Sequence, residues 1–95
     1  MPAIIRIVRM TFQPEKCTDF EGLYDSVCQK IMSMPGCTSL SLKHDANQPN
    51  VYYTLSHWNS EESLQAYRHS ELFKQTWALT KAMFADAPQA FSLIE

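Results

Sequence analysis

The spacing of hydrophobic and polar residues changes along the chain, and each change marks an element. From Ala3 to Phe12 two sets interleave: Ile4, Arg6, Val8, Met10 and Phe12, then Ile5, Ile7, Arg9 and Thr11. Both are mainly apolar, which predicts a strand with both faces covered. Pro14 ends it, and Thr18 or Asp19 is placed to cap a helix. Phe20, Leu23, Tyr24, Val27, Ile31 and Met34 then recur as on one helical face, until Pro35-Gly36 stops the pattern. Cys37–Asp45 alternates again, with Leu40, Leu42 and His44 against Ser39, Ser41 and Lys43. The Asn, Asp and Pro residues of Asp45–Asn50 predict a turn. Val51–Trp58 is rich in β-branched and aromatic residues and predicts a third strand, bulky on both faces.

Asn59 or Ser60 can cap the next helix, with Glu61 and Glu62 in its first turn, where the helix dipole favours carboxylates. A break near His69-Ser70 is expected, because Ser70 can cap a second helical piece. Phe73, Trp77, Lys81 and Phe84 form one stripe of that piece, beside Leu72, Thr76, Leu79 and Met83. Pro88 marks the exit, and Ala90–Glu95 reads as a closing strand. The order β-α-β-β-α-β predicts an α+β fold of ferredoxin-like plan, an antiparallel four-stranded sheet with its helices on one face, formed as a single domain over residues 1–95. Such helices shield only one face of the sheet. The apolar residues on the other face call for cover, and a second copy packed sheet against sheet is the economical one.

Composition narrows the partners. With 45% hydrophobic and 19% charged residues, the chain of 95 residues is expected to be globular. A domain of this size buries a limited share of its surface, a further reason to expect a homodimer. The net charge of -2 and the lack of a basic run argue against nucleic acid. No apolar stretch suits a membrane span, and the N-terminus lacks the pattern of a signal peptide. The three cysteines, Cys17, Cys28 and Cys37, have neither disulfide nor zinc spacing, and a cytoplasmic location is expected.

Several short motifs occur in a telling order: Pro35-Gly36-Cys37 before a strand, Asp45 with Asn50, then Tyr53 and Thr54. Ser56-His57-Trp58-Asn59-Ser60-Glu61-Glu62-Ser63-Leu64 follows, and after it Tyr67-Arg68-His69-Ser70-Glu71-Leu72-Phe73. The chain thereby resembles the antibiotic-biosynthesis-monooxygenase family over nearly its whole length. The resemblance implies a dimeric α+β barrel, with a ligand pocket in each subunit between sheet and helices. Its members include oxygenases of quinols and polyketide-like aromatics that use no metal or flavin, haem-degrading proteins, and proteins acting on small signal molecules.

A cofactor-independent monooxygenase must bind an electron-rich aromatic, favour its anion and exclude water, which takes an apolar box with a few placed donors. The family's strand-three Trp falls at Trp58, whose indole N–H would donate to a substrate oxygen or to the protein's own backbone. Thr54 lies on the same strand face, where some aromatic-oxidising members carry Asn; their helix Tyr falls at Leu64. In haem-degrading members an Asn, a Trp and an iron-ligating His fall at Val8, Tyr67 and Trp77, so the iron ligand is missing here. Tyr67, Phe73 and Trp77, with Val8, are expected either to line a substrate pocket or simply to form core. Arg6 shares a strand face with Val8 and would bind an anion at the pocket mouth, or pair with a carboxylate at the dimer seam. Arg68 is expected at the surface. His44 and His57 are candidate proton acceptors, His57 more simply a hydrogen-bonded structural residue and His44 a solvated one. The resulting candidates are Trp58, Thr54, His44 and Arg6 as catalytic groups, Tyr67, Phe73, Trp77 and Val8 as the substrate box, and no cofactor. The alternatives are a non-catalytic homodimeric ligand-binding module and, further off, a haem-binding protein.

Overall fold

A computed structural model describes residues 2–94. β1 (Ile4–Thr11) lies between β3 (Val51–Trp58) and β4 (Gln89–Leu93), and β2 (Cys37–His44) flanks β3. All pairs are antiparallel and the order is β2-β3-β1-β4, the ferredoxin-like α+β arrangement. In the central pair Ile4 faces Trp58 and Thr11 faces Val51, so the apolar alternation of the two strands stays in phase. Among the described residues no helix is long and apolar enough to cross a membrane. All three cysteines are free thiols.

The first helix starts earlier than Thr18 or Asp19. Pro14–Lys16 forms a 3-10 turn that runs straight into α1 (Cys17–Met32), with no side-chain cap. Proline supplies the right φ at a first helical position and has no N–H to satisfy, so it nucleates the helix here while ending the strand. Beyond α1, Gly36 turns the chain with φ +86, a left-handed conformation that disfavours any Cβ. Its carbonyl accepts from the Asn59 N–H at 2.8 Å, which pins the end of one helix connection to the start of the next.

The second helical segment divides as its serines predict. α2 (Glu61–Arg68) is capped by Ser60, whose Oγ accepts from the Ser63 N–H, and α3 (Glu71–Lys81) by Ser70, whose Oγ accepts from the Phe73 N–H. Ser70 takes an extended backbone, and this ends α2 and redirects the chain.

The helices pack on the sheet face that carries Ile4, Arg6, Val8 and Met10. One core cluster joins Met10, Phe12, Phe20 and Tyr52; Phe12 stacks on Phe20 at 4.2 Å and meets Tyr52 edge-on. Another joins Ile4, Trp58 and Leu64. Each such side chain contributes about 1.5–3 kcal/mol on burial. The opposite face presents Ile5, Ile7, Arg9, Tyr53, Leu55 and His57, all half-buried, with Phe91 and Leu93 beside them at 49% and 47% exposure. Polar residues on this face pair with each other: Arg9 Nε donates to the Tyr53 hydroxyl, which donates to Asp45 Oδ2 at 2.9 Å. Those contacts, led by the Asn47 N–H, hold the Asp45 carboxyl below its ordinary range. His57 Nδ1 lies 2.7 Å from Ser39 Oγ, the hydrogen-bonded role read from its position.

Candidate functional site

A cavity of about 300 Å³ lies between the sheet and all three helices. Its floor is the inner face of the sheet: Arg6, Val8, Met10, Leu40, Thr54, Ser56 and Ala90. Strand pleating sets this list, since each residue is an even step from the next along its own strand. One wall is α1, through Phe20, Leu23, Tyr24, Val27 and Ile31; the other is α2 and α3, through Leu64, Tyr67, Arg68, Phe73, Thr76, Trp77 and Thr80. The volume is at the low end of the ~300–1,000 Å³ typical of small-molecule sites, which suits a ligand of one or two rings.

The aromatic wall is continuous. Tyr67 meets Phe73 edge-on at 5.2 Å, and Phe73 stacks on Trp77 at 5.9 Å with 10° between planes. Behind them Trp58 stacks on Tyr67 at 5.1 Å. Faces and edges presented together suit a flat, electron-rich guest.

Of the residues singled out from the sequence, Arg6, Val8, Thr54, Tyr67, Phe73 and Trp77 line this cavity. Trp58 does not. It is 0% exposed, and its indole N–H donates to Ser56 Oγ at 3.0 Å. In place of a donor to substrate, Trp58 is a packed support for Tyr67, and its own indole N–H is satisfied by a serine one pleat away. His44 also lies outside the cavity. It is exposed at the end of β2, with its ring 4.5 Å from that of Tyr52. Tyr52 donates in turn to Glu21 Oε2, and burial first, then Glu21, push its phenol well above the usual range. The group is part of the core's rim and has no access to the cavity floor.

The sequence pattern places the α1 residues on one helical face without marking them as site residues, and it predicts Arg68 at the surface. Arg68 is exposed, yet it also lines the cavity with Arg6. Arg6 resolves toward the helix face, where Nη1 donates to Ser92 Oγ at 2.8 Å. Burial, and secondarily the charge of Arg68, lower its pKa; Glu61 partly opposes them. Tyr67 is pushed up to about 12, mainly by burial and then by Cys37, and Tyr24 is raised by burial and by Cys28 and Asp25. Both phenols therefore stay protonated near neutrality and act as donors. Among the described residues no His, Asp, Glu, Lys or Cys is in the cavity lining, so they offer no group suited to take a proton there at neutral pH. Among the described residues no cluster of three His, Cys, Asp or Glu side chains could hold a metal ion.

The family model described as antibiotic biosynthesis monooxygenase matches residues 3–79. The chain belongs to this family. Solved structures agree on the fold of this antibiotic biosynthesis monooxygenase domain. A conserved protein from Methanosarcina mazei Go1 superposes with TM-score 0.93 at 22% identity, over 98% of this chain and 92% of that one. Rv0793 from Mycobacterium tuberculosis superposes at 0.88 with 18% identity, over 96% and 92%. A structure named antibiotic biosynthesis monooxygenase superposes at 0.88 with 19% identity, over 95% of each chain. At these identities the likeness carries the fold of the antibiotic biosynthesis monooxygenase domain and leaves its substrate open. A search of curated proteins finds no match.

Proposed function

We propose that this member of the family is a cofactor-independent monooxygenase of a small aromatic or quinol-type substrate, and that it works as a homodimer. The observation that carries the reading is the cavity of about 300 Å³ with its Tyr67–Phe73–Trp77 wall and an otherwise apolar lining broken by a few donors. The substrate enters as a phenolate or enolate, its proton already lost to water. The anion passes one electron to molecular oxygen, and the radical and superoxide combine at a ring carbon bearing hydrogen. The peroxide so formed takes up a proton and loses water, leaving a carbonyl: one oxygen atom stays in the product and the other leaves in water. Arg6, Arg68 and the Thr54 hydroxyl stabilise the negative oxygen, and the aromatic wall orients the ring and keeps water out. Trp58 holds Tyr67 in place.

An oxygen electrode with a panel of hydroquinones and naphthols tests this. Saturable uptake that falls on Trp77→Ala supports it; no uptake above a denatured-protein control, across the panel, overturns the catalytic claim.

The second reading, a ligand-binding module without turnover, is favoured by the lack of a general base in the cavity lining. The homodimer is supported by the half-exposed apolar face of Ile5, Ile7, Leu55, Phe91 and Leu93, which a second sheet would cover. Sedimentation at micromolar concentration gives a dimer on this reading, and Leu55→Glu separates it. A well-folded wild-type monomer would sink the paired arrangement.

A further inference from the structure

We infer that the ligand is an aromatic carboxylate of one or two rings, whose carboxylate group sits between the guanidinium groups of Arg6 and Arg68. The inference rests on the cavity being a ligand site and names the class of ligand.

The two cations reach the cavity from different elements, Arg6 from the middle of β1 and Arg68 from the last residue of α2. Among the described residues no carboxylate is in the lining with them. Among the described residues the one ion pair is Lys16–Asp19 at the start of α1, so neither arginine has a carboxylate in contact. The nearest negative influence on Arg6 is Glu61, which lies on the exposed side of α2 and accepts from Gln65 Nε2. Two like charges facing one partly desolvated space repel each other, and they persist together only at a cost that an anion between them removes. Arg6 commits Nη1 to Ser92 Oγ, which orients the guanidinium plane and leaves its other N–H groups free of protein partners among the described residues. A planar fork of donors suits the two oxygens of a carboxylate. Beyond the arginines the cavity is lined mainly by carbon and ring faces, so the rest of the ligand is aromatic rather than a sugar or a peptide.

The test is calorimetric titration of the whole protein with 2-naphthoate and with its neutral counterpart 2-naphthamide, for wild type, R6Q, R68Q and the double variant. In the wild type the carboxylate binds about tenfold more tightly than the amide, the size expected of charge-assisted hydrogen bonds. Each single variant loses part of that preference and the double variant all of it, because the carboxylate loses more affinity than the amide in every variant. Added salt erodes the preference in the wild type. Arg68 is exposed at a helix end, so R68Q keeps the fold and remains informative should R6Q unfold. Equal binding of the two compounds by the wild type, or a preference undiminished in R68Q, overturns the anion assignment while leaving the cavity a ligand site. Binding of neither compound overturns the ligand site as well.

Discussion

Adding one methyl group at Gly36 and at Gly22 should have opposite effects. At Gly36 the φ of +86 is strained for any residue with a Cβ, by about 1–2 kcal/mol. The methyl would also lie 2.3 Å from Ser63 Oγ, 2.4 Å from Ser63 Cβ and 2.6 Å from Asn59 Oδ1, all too close to persist. Ser63 supplies the N–H that Ser60 caps, and its hydroxyl donates to Asn59 at 2.9 Å. Moving it forfeits about 1 kcal/mol of cap energy. Ala in place of Gly stiffens the unfolded chain and offsets about 0.5–1 kcal/mol. The net for Gly36→Ala is a loss of about 2 kcal/mol, or roughly 8–16 °C in Tm for a domain of this size. Gly22 is exposed inside α1 with nothing within 4 Å of its missing Cβ. Gly22→Ala should therefore gain about 0.5–1 kcal/mol from helix propensity. Urea melts of both variants at one protomer concentration check the pair, because assembly would otherwise shift the midpoints. A Gly36→Ala protein within about 0.5 kcal/mol of wild type would refute the account of how the two helix ends are joined. A Gly36→Ala/Ser63→Gly double variant, which removes both Ser63 atoms, is compared with Ser63→Gly alone; a loss that persists between those two measures the backbone strain apart from the Ser63 contact.

Trp58→Phe should cost about 1–3 kcal/mol in urea melts through the lost indole–Ser56 bond and the space left behind, and lower 2-naphthamide affinity less than Trp77→Ala does, because Trp58 supports Tyr67 from behind without lining the cavity. Alkaline stability carries a signature of Tyr67. Its pKa rises from 10.0 to about 12 on folding, so its contribution is intact below pH 10 and is lost as pH climbs toward 12, where the unfolded phenol ionises and the folded one resists. The shift corresponds to about 2–3 kcal/mol, and Tyr67→Phe should flatten that limb of a stability–pH curve. Tyr24 and Tyr52 are shifted in the same direction, so part of the limb persists; an unchanged limb would contradict the burial of Tyr67.

The strands and caps were legible because their causes are local. The alternation from Val51 to Trp58 sets β3 to the residue, and Ser60 and Ser70 cap where a hydroxyl before an acidic turn predicts. The start of α1 was less so, because Pro14 serves both as a strand terminator and as a helix nucleator and only the tertiary path decides between them. In the site, pleating put Arg6 with Val8 and Thr54 with Trp58, and the pairing of Val8 with Thr54 across the strands joins the two sets on one face. Periodicity could not tell Tyr24 or Val27 as cavity wall from core, since both roles ask for the same apolar helical stripe. Trp58 stayed ambiguous because an indole N–H is satisfied equally by a ligand or by a neighbour. Ser56, two residues back on the same face, was the visible sign that the neighbour would win. Arg68 was missed because a charged residue at the end of a short helix reads as solvated until the cavity beside it is known.

A chamber walled by two permanent cations and two reluctant phenols leaves the timing of ionisation to its guest. Its acidity dependence then belongs to whatever occupies it: two substrates of unequal acid strength would reach half-maximal turnover at two separate pH values on one and the same protein. The arginines would draw both midpoints to the acid side of those in bulk water.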